Sequence, residues 1–273
     1  MSPLDRIALV GLALCAAALA LGGPGPALWA VGLFALVVLG LLLDGVFRPA
    51  SVVLMPVLVR GDRRSGCVAL TFDDGPDPEV TPQILDALAA AGAKATFFAI
   101  GRHLEAHPAL ARRLVDEGHE LGNHSFSHSR LLNFARDGAM EAEVRRGAAA
   151  VVAVSGQPGL PLYRPPIGLK NPPLARVARR LAMRVVMWSV HGRDTGAASG
   201  AAVAERVLGR AGPGDIVLLH DGRDAPGPAR RATAEAVPLI LAGLAARGLR
   251  PVTVSALLAA SPQEAPPDSG RAE

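Results

Sequence analysis

Aromatic side chains are scarce in this chain: one Tyr, two Trp and seven Phe among 273 residues. A core of stacked rings is excluded. With half the residues hydrophobic, the packing must come from Ala, Leu and Val. Only two cysteines are present. Cys15 lies in an apolar run and Cys67 opens another, a placement that excludes a disulfide framework and a paired-thiolate metal site. Both are expected as buried, inert thiols. No block of basic residues with interleaved aromatics occurs, which argues against a nucleic-acid partner. The net charge is +4 and nearly all the basic residues are Arg. A bias toward Ala and Arg accounts for this, although a basic surface also suits anionic lipid or acidic polymer.

Charge is missing altogether between Ile7 and Leu43. Gly22-Gly23-Pro24-Gly25-Pro26 divides that run into Ile7–Leu21 and Ala27–Leu43, each near the lower length for a spanning helix, roughly 17–20 residues. A transmembrane helical hairpin over residues 1–47 is expected, with membrane lipid as a partner. The alternative is a secretory signal cleaved near Ala18-Leu19-Ala20; Asp5 beside Arg6 makes a weak n-region for it. Arg48, Arg60, Arg63 and Arg64 follow the apolar run and Arg6 precedes it. An integral membrane protein with the domain that follows on the cytoplasmic face is the topology those arginines favour.

Residues 48–65 read as a basic linker. Strand and helix patterns then alternate over residues 66–258. Strands are expected at Cys67–Phe72, Ala95–Ile100, Glu120–Asn123, Leu162–Arg164, Arg184–Ser189, Asp215–His220 and Pro251–Val254. Thr81-Pro82, His107-Pro108 and Asn171-Pro172 each put Pro where a first helical turn accepts it. Alternating β and α with apolar strands implies a mainly parallel α/β sheet or barrel. The part from about Arg60 to Leu258 is expected to fold without the hairpin. Residues 259–273, rich in Pro, Ser and charge, read as a disordered tail.

Unusual polar residues fall at the C-terminal ends of these strands: Asp73 and Asp74, then Asn123, His124 and His128, then Arg164, Asp194, His220 and Asp221. That edge is where parallel α/β folds build their sites. His124 and His128 are four apart and share a face on a helix or helical turn. Two imidazoles so spaced bind one divalent metal when a third ligand and an open position are available. Asp74 supplies the oxygen ligand. Zn²⁺ suits such a set, and Co²⁺, Ni²⁺ or Mn²⁺ suit the same ligand types.

Taken together, these stretches resemble the polysaccharide deacetylases of the NodB homology type, carbohydrate esterase family 4. The resemblance covers about Val68 to Val254 and rests on "TFDDGP" at 71–76, "HSFSH" at 124–128, "RPPIG" at 164–168 and "LLH" at 218–220, all in order. It implies a distorted (β/α) barrel of about seven parallel strands. It implies Asp74, His124 and His128 as metal ligands and Asp73 as the general base. Arg164 would pair with that base, and His220, tuned by Asp194, would be the general acid. A backbone N–H near Ile167 would help hold the oxyanion, and Pro165, Ile167 and Leu218 would touch substrate. The family often has Tyr at position 167. Its fourth motif, Asp-x-x-Asp-Trp, departs here to His191-Gly192-Arg193-Asp194-Thr195, so His191 and Thr195 put the sugar contacts in question and leave the metal chemistry intact. His191 is expected as a rim or structural residue, and His103, His107 and His119 as structural.

The implied activity is metal-dependent removal of an N-acetyl or similar acyl group from an amino sugar of a polysaccharide or glycoconjugate. Competing readings are an O-acetyl esterase or lipid-linked sugar deacylase of the same mechanism, and a catalytically dead, membrane-anchored carbohydrate-binding protein. The complete set of acids, histidines and Arg164 argues against the last.

Overall fold

The structure, a computed structural model, describes residues 3–22, 24–157, 161–224 and 230–260. The tail expected as disordered lies almost wholly outside them. Two N-terminal helices come first, α1 Pro3–Gly22 and α2 Pro24–Phe47. Both run further than the apolar stretches themselves. Pro24 and Pro26 fall in the first turn of α2, where an absent N–H costs nothing, so the Gly/Pro cluster starts a helix where a turn was expected. Gly11 faces the Phe34 ring so closely that a Cβ there would lie 1.9 Å from it. Leu28–Phe47 is long and apolar enough to cross a membrane, and Leu9–Ala20 is a shorter apolar helix. Cys67 is buried as expected, whereas Cys15 is only half-buried.

The folded unit then alternates: β1 Cys67–Asp73, α3 Thr81–Ala90, β2 Thr96–Ala99, α4 Gly101–Ala106, α5 Pro108–Asp116, β3 Glu120–Asn123, α6 Asp137–Ser155 and α7 Pro172–Arg180. It closes with β4 Val190–His191, α8 Gly200–Leu208, β5 Ile216–His220, α9 Arg231–Ala246, β6 Arg250–Val252 and α10 Val254–Ala259. The three Pro-marked starts open α3, α5 and α7; at α7 the Asn171 side chain also accepts from Leu174 N at 2.7 Å, an N-cap.

The described strands form one parallel sheet in the order β3-β2-β1-β5-β4, with β6 on the first residues of β1. Two expected strands are missing as strands. Leu162–Arg164 contributes only single bridges, Asn123 to Tyr163 and Tyr163 to Val185. In Arg184–Ser189 the pairing is again by bridges at Val185 and Val186, and the ladder begins only at Val190. The carbonyls of Val186 and Met187, in the middle of this stretch, are taken by the Arg164 side chain.

β1 is buried along its whole length, the pattern of a strand covered on both faces. Its side chains alternate. Val68, Leu70 and Phe72 pack with Ile84, Leu85 and Leu88 of α3 and with Val237 and Ile240 of α9. Cys67 and Ala69 face the other way, toward Phe98, Leu162, Val186 and Ile216. That alternation carries Thr71 and Asp73 to the inner face as well. A one-residue slip would put Asp73 among the leucines.

Residues 48–65, read as a linker, pack against the domain. Met55 is buried with Leu174, Val177 and Tyr163. Leu58 bridges Val186, and Arg60 Nε donates to Asp215 Oδ1 at 2.7 Å. Lys170 is fully buried, and its Nζ donates to the carbonyls of Arg48 (2.8 Å), Pro49 (3.2 Å) and Ser51 (2.7 Å). An ammonium is buried without a carboxylate only where carbonyl dipoles surround it.

Candidate active site

Asp73 ends β1 and lies opposite His220, the last residue of β5. Asp74 follows with φ of 72°, a left-handed conformation that turns its carboxylate away from the strand direction. Two structures hold this turn. The His103 Nδ1–H donates to the Asp74 carbonyl at 2.8 Å. The Asp221 carboxylate lies over Gly75, where a Cβ would come within 2.0 Å of it, so the motif's glycine is required by space. Asp221 is itself fixed by the Thr81 hydroxyl, which donates to it at 2.7 Å, and burial pushes its carboxyl up to about 7.

His124 and His128 meet Asp74 from a loop after β3. No helix brings them together. Ser125 and His128 have φ of 65° and 56°, and Ser125 Oγ accepts from His128 N at 3.0 Å. Turn geometry therefore achieves the convergence that a shared helical face was expected to give. Asp74 Oδ1 lies 3.4 Å from His124 Nε2 and 3.3 Å from His128 Nε2. One ligand atom from each of the three residues falls within 4.8 Å of the others, and all three residues are buried. Yet Asp74 Oδ1 has no hydrogen-bond partner, because the three atoms face a common point and not one another. His124 Nδ1–H donates to the Arg164 carbonyl at 2.8 Å, which leaves the Nε2 lone pair for that point. His128 Nδ1 lies 3.2 Å from Asp224 Oδ2. A carboxylate and two imidazole nitrogens aimed at one dry spot fit a divalent cation. The imidazoles hold the Asp74 carboxyl, which burial alone would raise, well below the usual carboxylate range.

Arg164 is fully buried behind Asp73 and every arm is engaged. Nη1 donates to Asp73 Oδ1 at 2.7 Å and to Thr71 Oγ1 at 2.8 Å; Nε and Nη2 donate to the carbonyls of Val186 and Met187 at 3.2 and 3.1 Å. The guanidinium sits 4.1 Å from the Phe98 ring centroid, a cation–π contact in a dry site. Asp73 Oδ2 lies 3.7 Å from His124 Nε2, so this carboxylate spans from Arg164 to the edge of the ligand cluster.

On the opposite side His220 Nδ1–H donates to Asp194 Oδ1 at 3.0 Å, and the His220 backbone N–H donates to Asp194 Oδ2 at 2.7 Å. The Thr233 hydroxyl donates to the same oxygen. Burial is the strongest influence and opposes charge on His220, but the Asp194 hydrogen bond together with the charges of Asp194, Asp73 and Asp74 outweighs it and raises the imidazole to about 9. Asp73, Asp74, His124, His128 and His220 line one cavity of about 320 Å³ with Ile167, Trp188, His191, Thr195 and Leu218.

Residues 60–186 match the sequence model described as polysaccharide deacetylase. The chain is 39% identical over 193 residues to the peptidoglycan-N-acetylglucosamine deacetylase of Bacillus cereus, covering 70% of this chain and 87% of that one. The chain belongs to the polysaccharide deacetylase family. It is a hydrolase. A chitooligosaccharide deacetylase of Rhizobium leguminosarum bv. trifolii is 36% identical over 71% of this chain and 84% of its own. The Bc1960 peptidoglycan N-acetylglucosamine deacetylase superposes with a TM-score of 0.69 at 31% identity, over 77% of this chain and 95% of that one. The peptidoglycan deacetylase PdaC of Bacillus subtilis gives a TM-score of 0.64 at 34% identity, over 73% and 93%.

Within the deacetylase cavity the remaining residues fall into place unevenly. Leu218 and Ile167 line it, Ile167 being 48% exposed with a left-handed φ of 51°. Pro165, read as touching substrate, is buried and does not line the cavity, because the chain turns outward only after Pro166. His191 lies on the wall, its ring 5.6 Å from Trp188 and 6.2 Å from His220, and its Nδ1 accepts from Arg193 N. His119 is structural as expected, accepting from Ala95 N and driven down to about 4 by burial. His103 is more than structural, since it holds the carbonyl of Asp74. Asp224, Arg130, Arg230 and Trp188 line the cavity without having been singled out. Only Asp224 carried a signal: it is the first acid after His220-Asp221 on the loop after β5.

Proposed function

We propose that the protein removes the N-acetyl group from an amino sugar of a glycan, with a divalent cation, Zn²⁺ by ligand type, held by Asp74, His124 and His128. The observation that carries this is the cavity itself: a paired base, a three-ligand cluster and an oriented imidazole surround one space. A cation there supplies Lewis acidity and brings water toward ionisation at neutral pH. Asp73, oriented by Arg164, takes the proton from the attacking water. His220, held as the imidazolium by Asp194, gives a proton to the departing amine. An amine leaves an amide only when protonated, so His220 favours an amide over an ester as the substrate bond. Relatives named for peptidoglycan and chitooligosaccharides support an N-acetylglucosamine glycan.

Two further readings go with it. The single bridges Asn123 to Tyr163 and Tyr163 to Val185 run between β3 and the approach to β4, and we read them as closing the sheet into a distorted barrel. The apolar α1 and α2 are read as membrane-inserted, with the folded unit beginning near Arg48 and the arginines after α2 on the cytoplasmic side. The test is metal analysis of the purified full chain together with acetate release from chitooligosaccharide and peptidoglycan. His128→Ala should lose metal and acetate release together. Full metal content in that variant would remove His128 from the site, and release of acetate from an O-acetylated sugar alone would replace the amide by an ester.

A further inference from the structure

A second cavity, of about 410 Å³, opens beside the first. Trp188 and His191 line both. The second is walled by Arg48, Arg60, Arg193 and Arg210, which come from four separate segments. Two of the four are balanced: Arg48 Nε lies 3.0 Å from Asp44 Oδ1 and Arg60 Nε 2.7 Å from Asp215 Oδ1. Arg193 and Arg210 are exposed and have no carboxylate at ion-pair distance among the described residues. The space therefore carries uncompensated positive charge next to an indole and an imidazole. Its position is also specific. Arg48 directly follows Phe47, the last residue of α2, and Lys170 pins residues 48–51 to the domain.

We propose that this cavity is a phosphate subsite, and that the preferred substrate is an amino sugar bearing a phosphate ester. Planar guanidiniums suit phosphate oxygens, and a wall shared with the catalytic cavity suits two groups of one molecule. Trp188 offers an apolar face for the sugar ring between them. The inference deepens the reading given under Proposed function and rests on it for the sugar. The same anion chemistry could be met by a phospholipid headgroup at the end of α2.

The experiment compares acetate release by the full chain in neutral detergent from N-acetylglucosamine 1-phosphate and from neutral chitotriose, with Arg193→Gln/Arg210→Gln alongside. Wild type should favour the phosphorylated sugar in kcat/KM by roughly tenfold or more, the order of one charge-assisted hydrogen bond. The double variant should lose that preference while its rate on chitotriose stays unchanged. Both side chains are exposed and have no carboxylate at ion-pair distance among the described residues, so the fold should hold, and circular dichroism checks it; Arg210→Glu, reversing the charge, should weaken the preference further than Arg210→Gln. A parallel arm measures sedimentation with anionic phosphatidylglycerol vesicles. Loss of vesicle binding with no change in the sugar ratio keeps the phosphate site and assigns it to a lipid headgroup. No change in either measurement overturns the subsite. If no substrate releases acetate, the deacetylase reading fails separately, and calorimetry with inorganic phosphate still decides the subsite, an absence of arginine-dependent heat counting against it.

Discussion

On one side of the cavity Asp73 and Arg164 are buried and joined at 2.7 Å, with His124 and Asp74 beside them; on the other, Ile167 and Thr195 face solvent. Desolvated charges must be paired and hydrogen-bonded, so the first side has one workable arrangement. Its residues come from the ends of different strands and hold one another in place. The second side bears no such obligation. It is exposed, and it is where this chain leaves the family's fourth motif. On the proposed reading, reaction chemistry resides where the protein has no freedom, and substrate choice where it has some.

The strongest way to break this contrast is Arg164→Met. It strands the Asp73 carboxylate in a dry site, and leaving a buried charge unpaired costs about 3–5 kcal/mol. Thermal unfolding should show the loss, and activity should vanish with it; a variant that stays folded and active would mean that the inner wall is as forgiving as the outer. Next is Asp73→Asn, which keeps the shape and removes the proton acceptor. Metal content should be retained while kcat falls by roughly 10²–10⁴-fold, the worth of a general base. Near wild-type turnover would move the base elsewhere.

Asp194→Asn sharpens the comparison through pH. His220 holds its proton to about 9 in the folded protein and releases it near 6.5 when free of partners. Its stabilising contribution is thus complete below about 6.5 and lost as pH rises through about 9. Removing the Asp194 charge should bring the alkaline limb of kcat to lower pH. A bound cation lowers both proteins' limbs, so the displacement between their profiles is the readout, and coincident profiles would exclude His220 as the titrating acid. The smallest effect belongs to Thr195→Ala on the rim. KM should change by no more than a few-fold, differently for chitooligosaccharide and peptidoglycan, with metal content untouched. A loss as large as that of Asp73→Asn would make the rim part of the chemistry.

How much of this could be read in advance follows the same line. The residues proposed as ligands and base stood at strand ends and in motif spacing, and β1, covered on both faces, announced itself as a continuous apolar run. The loop geometry at Ser125 and His128 was invisible because left-handed backbone at non-glycine residues has no compositional mark. Leu162–Arg164 and Arg184–Ser189 read as strands because their residues favour extension, but propensity does not say how many partners a strand will find. His103 and Asp224 were missed because their roles depend on a neighbour's carbonyl and a neighbour's ring nitrogen, contacts made only in space. Residues 48–65 looked like a linker because arginines stand at both ends of the segment and no helix or strand period runs through it; Met55 and Leu58 decide their packing.

Lys170 has a consequence for any event that cuts this chain. Cleavage at Phe47 would free the catalytic domain from the apolar helices with its buried ammonium still facing the carbonyls of Arg48, Pro49 and Ser51. Cleavage a few residues later, after Ser51, would take those acceptors away and leave the same ammonium in a dry hole, with Met55 now close to the new terminus. A cut after Ser51 should therefore destabilise the domain far more than one at Phe47, although the two lie about one turn of chain apart.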